Sequence, residues 1–494
     1  MHWATSEERR NLGQARRKQV GRQEHNQLKP KARQTPAPEL LARSMRGRVP
    51  ALIKLKYKLM AASPFGYFRG AVPVMAADLA LLPSTGLTAQ LCGDAHVRNL
   101  GAFAAPDGRL TFDINDFDET IRGPFEWDLK RMATSLVLAG RESGHKDASS
   151  RAAVEKMVAR YAAQMSAFSR MSFLDVAHYQ VHRLNLVAPV QRALLKAERA
   201  TPQHTLEQLM VPIATSGKEN SIEPDQKSIK LRAEIILNEA KRNRKIRVSD
   251  ASAWVADRKS ISDQIDSADH QLPTAERQFK EIKPTLNRVS ASQAAAVLAA
   301  LGPYRQMLEP QRQHLLSLYR PIDVAFKVVG TGSVGLRDYC IYFEGNGPAD
   351  PLFLQIKEEP ASGYTPYLPE ATPPHHNGQR VAEGQKAMQV QSDPFLGWTH
   401  FGGRDYLVRQ LNDHKGSIDL EDLSGGGLEA YAEVCGELLA RGHARSGDPL
   451  ILNGYIGSGD GFAEALAKFG SAYADQTEKD WNELKRSKQG TLKG

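Results

Sequence analysis

The chain has few cysteines, few aromatic residues and no long apolar run. Its 494 residues include three cysteines, Cys92, Cys340 and Cys435, and aromatic residues make up 7% of the chain. Three widely spaced cysteines give neither a disulfide framework nor a zinc motif, which favours a reducing compartment. No apolar run approaches the roughly 18 residues of a membrane span, and no apolar secretory segment opens the chain. The sequence therefore predicts a cytoplasmic protein without membrane contact, long enough for more than one domain.

Positive charge is concentrated at the amino terminus. The formal net charge is +9, and residues 1–48 contain 12 Lys or Arg and 4 Asp or Glu, a net of +8. The remaining 53 basic and 52 acidic residues nearly balance. This pattern is typical of a solvated, partly disordered basic arm over residues 1–49. The alternative is an arm that contacts nucleic acid through charge, although no nucleic-acid motif accompanies it.

The pattern of apolar residues changes twice along the rest of the chain. Residues 50–319 combine two short predicted strands with mainly helical segments, although residues 202–265 are polar, weakly patterned and without a placement. Residues 320–415 are typical of a small β-rich unit with one helix, and residues 416–494 return to helical spacing. The sequence therefore predicts an α+β fold of two lobes, in which a β-rich lobe interrupts a largely helical one.

One short segment crowds polar side chains between apolar runs. Asp94 and Asn99 in CGDAHVRNLGAF are five residues apart. This is the spacing of the kinase catalytic loop, in which the Asp orients the acceptor hydroxyl and the Asn holds a metal ion. In the following DINDFDE, Asp116 is the predicted main Mg²⁺ ligand, with Asp118 and Asp113 as alternatives. Mg²⁺ ions that bridge nucleotide phosphates would explain the crowding, and a polar turn between strands is the other interpretation.

A glycine-rich turn lies much later in the chain. Gly330, Gly332 and Gly335 form G-x-G-x-x-G, with Ser333 inside the turn. A dinucleotide-binding turn would lead into a helix, whereas the residues that follow, LRDYCIYFE, favour a strand. The context is therefore typical of the loop that covers nucleotide phosphates in kinases, with an ordinary hairpin as the alternative. An NAD-binding oxidoreductase would rest on the glycines alone.

The next predicted strand, LFLQIKEE, carries a lysine between apolar residues. An inward Lys357 needs an anion, and kinase-like folds use a lysine on this strand to hold nucleotide phosphates. The following predicted helix offers Glu383 as the ion-pair partner of Lys357, unless Glu383 faces solvent. Glu358 and Glu359 are expected at the surface. The backbone around Arg409–Leu411 is expected at a hinge, where it would meet adenine.

Three further residues have simpler interpretations. His375 and His376 lie in a proline-rich stretch without a matching set of Cys or His residues, so an exposed loop is expected there and not a metal site. Arg69 is expected to form a structural ion pair, although it could also face the phosphates.

The segment CGDAHVRNLGAF…GRLTFDINDFDE…GPFEWDL resembles the H-G-D-x-H-x-x-N…I-D-F-D…G-D-P-x-x-D-L pattern of aminoglycoside phosphotransferase-type kinases. The resemblance implies catalytic roles for Asp94 and His96. It also implies metal binding by Asn99 and Asp116, and a structural role for Asp128 at the start of the next helix. The whole chain is similar to the uncharacterised bacterial domain-of-unknown-function family 2252. That family has been associated with the protein-kinase-like fold, and its label carries no substrate.

The chain departs from the kinase pattern at two points. Cys92 stands in place of the first, largely architectural His of the motif. The catalytic loop also precedes the glycine-rich turn and Lys357, which reverses the usual order and implies a circularly permuted protein-kinase-like fold. The helices that normally precede the catalytic loop would then come last, and LARGHARSGD resembles the helix that leads into it.

Together these features favour an ATP- and Mg²⁺-dependent phosphotransferase that acts on a hydroxyl acceptor. A small-molecule acceptor is favoured over a protein because no A-P-E motif is recognisable. The alternatives are transfer of AMP on the same fold and a non-catalytic nucleotide-binding or scaffold protein.

Overall fold

The structure, a computed structural model, describes residues 4–181, 186–213, 277–411 and 414–487. Its helices are α1 (Ser6–Gln19), α2 (Ala37–Ser44), α3 (Pro50–Ala61), α4 (Pro64–Gly70), α5 (Val72–Leu79), α6 (Glu126–Glu142), α7 (Asp147–Phe168), α8 (Phe173–His178), α9 (Ala188–Arg199), α10 (Pro202–Leu209), α11 (Ala291–Ala299), α12 (Leu301–Met307), α13 (Pro310–Ser317), α14 (Asn377–Met388), α15 (Gly427–Ser446), α16 (Pro449–Ile456) and α17 (Asp460–Arg486). Its strands are β1 (Thr88–Leu91), β2 (Leu100–Ala104), β3 (Leu110–Ile114), β4 (Ile121–Pro124), β5 (Met210–Pro212), β6 (Arg277–Phe279), β7 (Leu286–Arg288), β8 (Arg320–Lys327), β9 (Asp338–Gly345), β10 (Gly347–Glu358), β11 (Gly397–Phe401), β12 (Arg404–Gln410) and β13 (Gly416–Ser417). The fold class is α+β, as predicted. Of the unplaced segment 202–265, the residues after 213 lie outside the described ranges.

The largest sheet has six antiparallel strands in the order β11-β12-β10-β9-β8-β7. Apolar residues at alternate positions of its strands, such as Ile341 and Leu354, form a core with helices α11 to α13. Tyr304 on α12 ties these helices to the sheet, because its hydroxyl donates to the Phe395 carbonyl at 2.6 Å. The β-rich unit therefore includes β7 and three helices that precede the predicted start at residue 320.

The helical body is built around α6, which is buried over nearly its whole length and packs against α7, α15 and α17. Two small sheets border this body: β1 pairs with β4, and β13-β2-β3 form a three-stranded sheet. The loops of these small sheets carry the polar segment of the catalytic-loop motif. Among the helices of the described ranges, none is long and apolar enough to cross a membrane.

Helices α7 and α15 approach each other closely at Gly436. A Cβ at this position would lie 2.1 Å from the carbonyl oxygen of Met157, which belongs to the backbone of α7. We predict that Gly436→Ala lowers the free energy of unfolding by about 1–3 kcal/mol, because the two helices must separate.

Gly442→Ala in the same helix is the matched control for this prediction. Its Cβ would meet the flexible side chain of Met388, which can move aside. Both variants gain the same helix propensity of about 1 kcal/mol, so the difference between them isolates the backbone clash. Denaturant unfolding of the two variants provides the measurement, and equal stabilities would show that the helices tolerate a methyl group at both positions.

The amino-terminal segment is folded against the body, and in this the structure differs from the expected disordered arm. Helix α1 packs against α16, and Arg17 donates from Nε to the Tyr455 carbonyl at 2.5 Å. Arg33 donates to both carboxylate oxygens of Asp78 at 2.8 and 2.6 Å. These basic side chains satisfy carbonyls and carboxylates of the body, which explains why a high charge density coexists with ordered helices here.

Candidate functional site

The loop after β1 is fixed by a carboxylate from the following helix. Asp128, in the first turn of α6, accepts hydrogen bonds from the backbone N–H groups of Cys92 (2.8 Å) and Gly93 (3.1 Å). Gly93 has φ +81°, and a Cβ there would lie 2.1 Å from the Glu119 carbonyl oxygen. The loop therefore holds its shape with Cys92 in place of histidine, because Asp128 bonds to the backbone and not to that side chain.

Asp94 lies at the end of this loop and pairs with a fully buried arginine. Arg131 on α6 donates to Asp94 Oδ1 from Nε at 2.7 Å and lies 2.5 Å from it through Nη2. The Asp94 side chain keeps 16% exposure, so it remains reachable from the cleft, by which we mean the surface around the partly exposed Asp94, Asp116 and Asp118. Burial raises the pKa of Asp94, and the charge of Arg131 opposes that rise. Sequence reasoning missed Arg131, although its place one helical turn after Asp128 put both residues on the same side of α6.

His96 and Asn99 belong to the same loop, between β1 and β2. His96 is 1% exposed, and its Nε2 is 3.6 Å from Asp94 Oδ2. Burial and the charge of Arg69 lower the pKa of His96 well below its ordinary value, so the imidazole is neutral at pH 7. Asn99 donates from Nδ2 to the Asp94 carbonyl at 2.8 Å, which closes the loop.

Of the three carboxylates in DINDFDE, Asp113 is directed away from the cleft. It accepts hydrogen bonds from Arg441 on α15 and from the N–H of Ile114 (2.7 Å), and it is 2% exposed. Asp116 and Asp118 follow the end of β3 and are only partly buried. The choice among three predicted metal ligands therefore narrows to Asp116 and Asp118.

The sheet meets this segment through Lys357 on β10. Its ammonium forms an ion pair with Asp118 across 239 positions of the chain, and the Ser333 hydroxyl donates to the same carboxylate oxygen at 2.8 Å. Lys357 lowers the pKa of Asp118, whereas burial and the neighbouring Asp118 raise the pKa of Asp116 to about 6. The structure therefore brings together Lys357, the glycine-rich turn and the DINDFDE carboxylates, as the order of motifs predicts.

The expectation that Glu358 and Glu359 lie at the surface is wrong, since both are buried. Glu358 accepts from Arg404 at 2.6 Å and from Arg337 at 3.1 Å. Glu359 lies 3.8 Å from the Lys357 ammonium, and within the described ranges neither of its oxygens accepts a hydrogen bond. Burial, with Asp118 nearby, raises the pKa of Glu359 well above its ordinary value.

Of the two alternatives for Glu383, the structure shows the solvent-facing position and not the pair with Lys357. Val381 and Met388 lie on the buried face of α14, and Glu383 lies on the opposite face, where it accepts from Gln379 at 2.7 Å. The inward cation of this helix is Arg380, whose guanidinium donates to the carbonyls of Thr120, Asp118 and Pro360. The inward-facing charged residue of α14 is therefore the cation Arg380 and not the expected acid Glu383. The negative charge that pairs with Lys357 is that of Asp118.

The glycine-rich turn joins β8 to β9, two antiparallel strands, so a strand follows it as predicted. Gly330 and Gly335 have φ +48° and +90°, which favours glycine at both positions. The backbone of the turn is held by hydrogen bonds from Lys56 on α3. This fully buried ammonium donates to the carbonyls of Thr331 (3.1 Å) and Gly332 (2.5 Å). Sequence reasoning missed Lys56, because the same helix also contains Lys54 and Lys58 and the sequence does not show which lysine is buried.

A small cavity lies at the predicted hinge. It is about 70 Å³ in volume and is lined by residues that include Asn115, Gln389, Arg409, Gln410 and Lys415. Ligand sites usually measure about 300–1,000 Å³, so these side chains would have to move before a purine base could enter.

The carboxylates beside Lys357 fit a divalent cation. Oδ1 of Asp118 is buried and accepts no hydrogen bond from the described residues, and the neighbouring side chain is a second carboxylate, Asp116. Two adjacent carboxylates, one of them with an oxygen that accepts no such bond, suit a hard cation such as Mg²⁺, which favours one or two carboxylates as ligands.

We predict that Mg²⁺ affinity falls as the pH drops below about 6. The pKa of Asp116 is raised to about 6, so below this pH a proton occupies the oxygen that the cation needs. The expected loss is about tenfold per pH unit for one proton. Mg²⁺ titrations followed by thermal unfolding at pH 5.0 and 7.5 test this, with Asp116→Asn as the control that should lose the dependence. Equal Mg²⁺ effects at both pH values in the unmodified chain would contradict the assignment.

Comparison with known proteins places the chain in a family. A family model described as an uncharacterized protein conserved in bacteria, domain-of-unknown-function family 2252, matches residues 48–234 and 217–487. The chain therefore belongs to this family. Neither a curated protein nor a solved structure matches it.

Proposed function

We propose that this chain is an ATP- and Mg²⁺-dependent phosphotransferase with a permuted protein-kinase-like fold, which transfers a phosphoryl group to a hydroxyl. The observation that carries the proposal is the ion pair of Lys357 with Asp118, formed between the sheet and the DINDFDE segment. Ser333 of the glycine-rich turn bonds to the same carboxylate. A lysine, a glycine-rich turn and paired acids at one point are the parts that phosphoryl transfer requires.

The paired acids and Asn99 are the residues that would hold Mg²⁺. Asp116 and Asp118 supply carboxylate oxygens, and Asn99 uses its Nδ2 within the loop, so its carbonyl oxygen is the atom suited to a cation. Bound Mg²⁺ neutralises charge on nucleotide phosphates. Lys357 adds a fixed cation at the same point, and Lys56 holds the backbone of the covering turn.

Asp94 is suited to orient the acceptor hydroxyl. Both bonds from Arg131 go to Oδ1. This leaves Oδ2, beside the neutral His96, to accept a hydrogen bond from the acceptor. The partial exposure of Asp94 makes this oxygen reachable from the cleft. His96 acts in this scheme as a positioning residue, because it is buried and uncharged.

The last helices support the permuted order of the lobes. The carboxyl end of α15 lies against β1, where the Gln90 N–H donates to the Ser446 hydroxyl at 3.1 Å. His443 of the same helix is 3.4 Å from Asp128, the residue that fixes the catalytic-type loop. A helix late in the sequence thus packs beside the strand that leads into this loop, where an unpermuted kinase has the preceding helix.

Transfer of isotope from labelled ATP tests the proposal. The full chain is incubated with Mg²⁺, a fraction of bacterial small molecules and ATP labelled at either the α- or the γ-phosphate. We expect label in the acceptor from γ-labelled ATP alone, and a loss of at least about 10²-fold in Asp94→Asn. Asp107→Asn, which alters an exposed carboxylate, is the control and should retain activity.

The other outcomes of this experiment contradict the proposal. Transfer of the α-label would replace phosphoryl transfer by AMP transfer. Undiminished transfer in Asp94→Asn, or no transfer of either label, would remove the catalytic assignment.

A further inference from the structure

A second cluster of ligand-type side chains lies away from the cleft, where the start of α14 meets the β11–β12 hairpin. His376, His400 and Asp405 each offer one ligand atom, and the three atoms lie within 4.8 Å of one another. Asp405 Oδ1 is 3.6 Å from His376 Nε2 and 2.9 Å from His400 Nδ1. Ligands of tetrahedral Zn²⁺ are about 2.0–2.2 Å from the ion, which puts them about 3.3–3.6 Å from one another. The three atoms are therefore close to the spacing of a metal shell.

The fold fixes two of these side chains relative to each other. His400 and Asp405 are direct partners in the antiparallel register of β11 and β12, on either side of the turn at Gly402 and Gly403. Directly opposed residues of an antiparallel pair have Cβ atoms about 4.5–5.5 Å apart, so both side chains reach a common point. His376 comes from a different element, as the residue before α14. His376 has no matching ligand residues in its own segment, and the two that lie near it in the fold come from the hairpin.

The surroundings orient the ligand atoms. Asp405 Oδ2 accepts from the N–H (2.8 Å) and the Nδ2 (3.1 Å) of Asn377, which leaves Oδ1 directed at the histidines. His376 Nε2 lies 3.0 Å from the Thr399 carbonyl, and its Nδ1 accepts from the Gln379 N–H at 3.2 Å. The hydrogen bonds to Asp405 Oδ2 are typical outer contacts of a metal-binding carboxylate, whereas His376 can bind an ion through Nε2 only if its ring proton moves to Nδ1.

Binding of an ion would replace the 2.9 Å hydrogen bond between His400 Nδ1 and Asp405 Oδ1 and would rearrange the contacts of His376. An ion at His376 Nε2 replaces the contact with the Thr399 carbonyl and moves the ring proton to Nδ1. The Gln379 N–H then loses its long 3.2 Å hydrogen bond. The start of α14 stays capped, because Asp405 Oδ2 still accepts from the Asn377 N–H.

We propose that His376, His400 and Asp405 bind one divalent transition-metal ion of the Zn²⁺ class, with water completing its shell. Two imidazoles and one carboxylate suit Zn²⁺, Co²⁺ or Ni²⁺, whereas Mg²⁺ takes oxygen ligands. The ion joins the amino-terminal end of α14 to the β11–β12 hairpin. It thereby braces the helix whose Arg380 contacts the DINDFDE segment. This site is separate from the paired acids of the cleft and does not depend on the phosphotransferase proposal.

Calorimetric titration of the full, chelator-treated chain with Zn²⁺ at pH 7.5 tests the site. We expect one ion per chain in the unmodified protein, and affinity at least about tenfold weaker in His400→Gln and in Asp405→Asn. His400 is suited to replacement because its side chain is 55% exposed. His375→Gln is the matched control, since it removes the adjacent exposed histidine and should bind as the unmodified chain does.

A second readout separates loss of the site from loss of the fold. Visible absorption of bound Co²⁺ should report nitrogen ligands in the unmodified chain and in His375→Gln, and it should weaken in His400→Gln at unchanged helical circular dichroism. Binding in His400→Gln equal to that of the unmodified chain would overturn the proposal. So would the absence of a bound ion in the unmodified chain.

Discussion

Lys357→Met is expected to destabilise the chain by about 3 kcal/mol at pH 7–8 and to abolish stabilisation by nucleotide. Its ammonium is the counter-charge of Asp118 and lies 3.8 Å from Glu359. Removing one member of a buried ion pair costs about 3–5 kcal/mol, and the 20% exposure of the Asp118 side chain favours the lower end. Without this cation, the phosphates of the proposed nucleotide would lose the positive charge that lies beside the DINDFDE carboxylates.

The loss in Lys357→Met should depend on pH with a definite sign. Lys357 lowers the pKa of Asp118, so its contribution is present above the ordinary pKa of aspartate, near 4, and is lost as the pH falls further. The variant and the unmodified chain should therefore differ most at neutral pH and converge in acid. Denaturant unfolding from pH 2 to 7 measures this, with Lys386→Met as the control that removes an exposed cation. A difference that is constant with pH would contradict the pairing with Asp118.

Arg131→Met is expected to lower the free energy of unfolding by about 3–5 kcal/mol. The guanidinium is fully buried, pairs with Asp94, donates to the Phe68 carbonyl at 3.1 Å and lies 4.2 Å from the centre of the Phe68 ring. Methionine would fill most of the space and satisfy neither oxygen. The uncompensated carboxylate of Asp94 would then account for most of the loss.

A double-mutant cycle separates this charge effect from lost packing. Arg131→Met combined with Asp94→Asn removes both charges, so the double variant should be more stable than Arg131→Met alone. Denaturant unfolding of the four proteins gives the interaction energy. A double variant whose loss equals the sum of the two single losses would show that Arg131 acts through packing and not through Asp94.

The sequence predicts best where spacing within one segment carries the chemistry. The α+β class and the strand after the glycine-rich turn follow from local patterns, and the structure confirms both. The order of motifs implied that the chain folds back on itself and places Lys357 near the DINDFDE acids. The structure contains this contact, as an ion pair between Lys357 and Asp118.

Predictions failed where a side chain's direction depends on the packing of an element. Glu383 lies on the outer face of α14 because Val381 and Met388 lie on the face that packs against the protein. A proline-rich loop precedes this helix, so the sequence does not show which face of the helix is turned inward. Glu359 is buried because the end of β10 lies under Arg380 and the DINDFDE segment. Arg131 lies 37 positions from its partner Asp94, and the only local cue to it was its place one helical turn after Asp128.

The cluster of His376, His400 and Asp405 is a group of residues that the sequence alone did not predict to lie together. His376 has no ligand-type neighbour in sequence that matches a metal motif, so composition predicts an exposed loop. The pairing of His400 with Asp405 follows from the β11–β12 register, and only the packing of α14 on that hairpin adds His376. A three-residue site of this kind becomes visible only when the tertiary structure is known.

Thermal unfolding of the full chain with ATP, in the presence and absence of Mg²⁺, tests the proposed two-part nucleotide site most directly. A ligand that binds only the folded state adds about 2.7 kcal/mol of stability at a concentration of 100 times its Kd. We predict that ATP with Mg²⁺ raises the Tm, that omission of Mg²⁺ removes most of the rise, and that Lys357→Met removes all of it. An unchanged Tm in the unmodified chain at millimolar ATP and Mg²⁺ would contradict a nucleotide site between the glycine-rich turn and the DINDFDE segment.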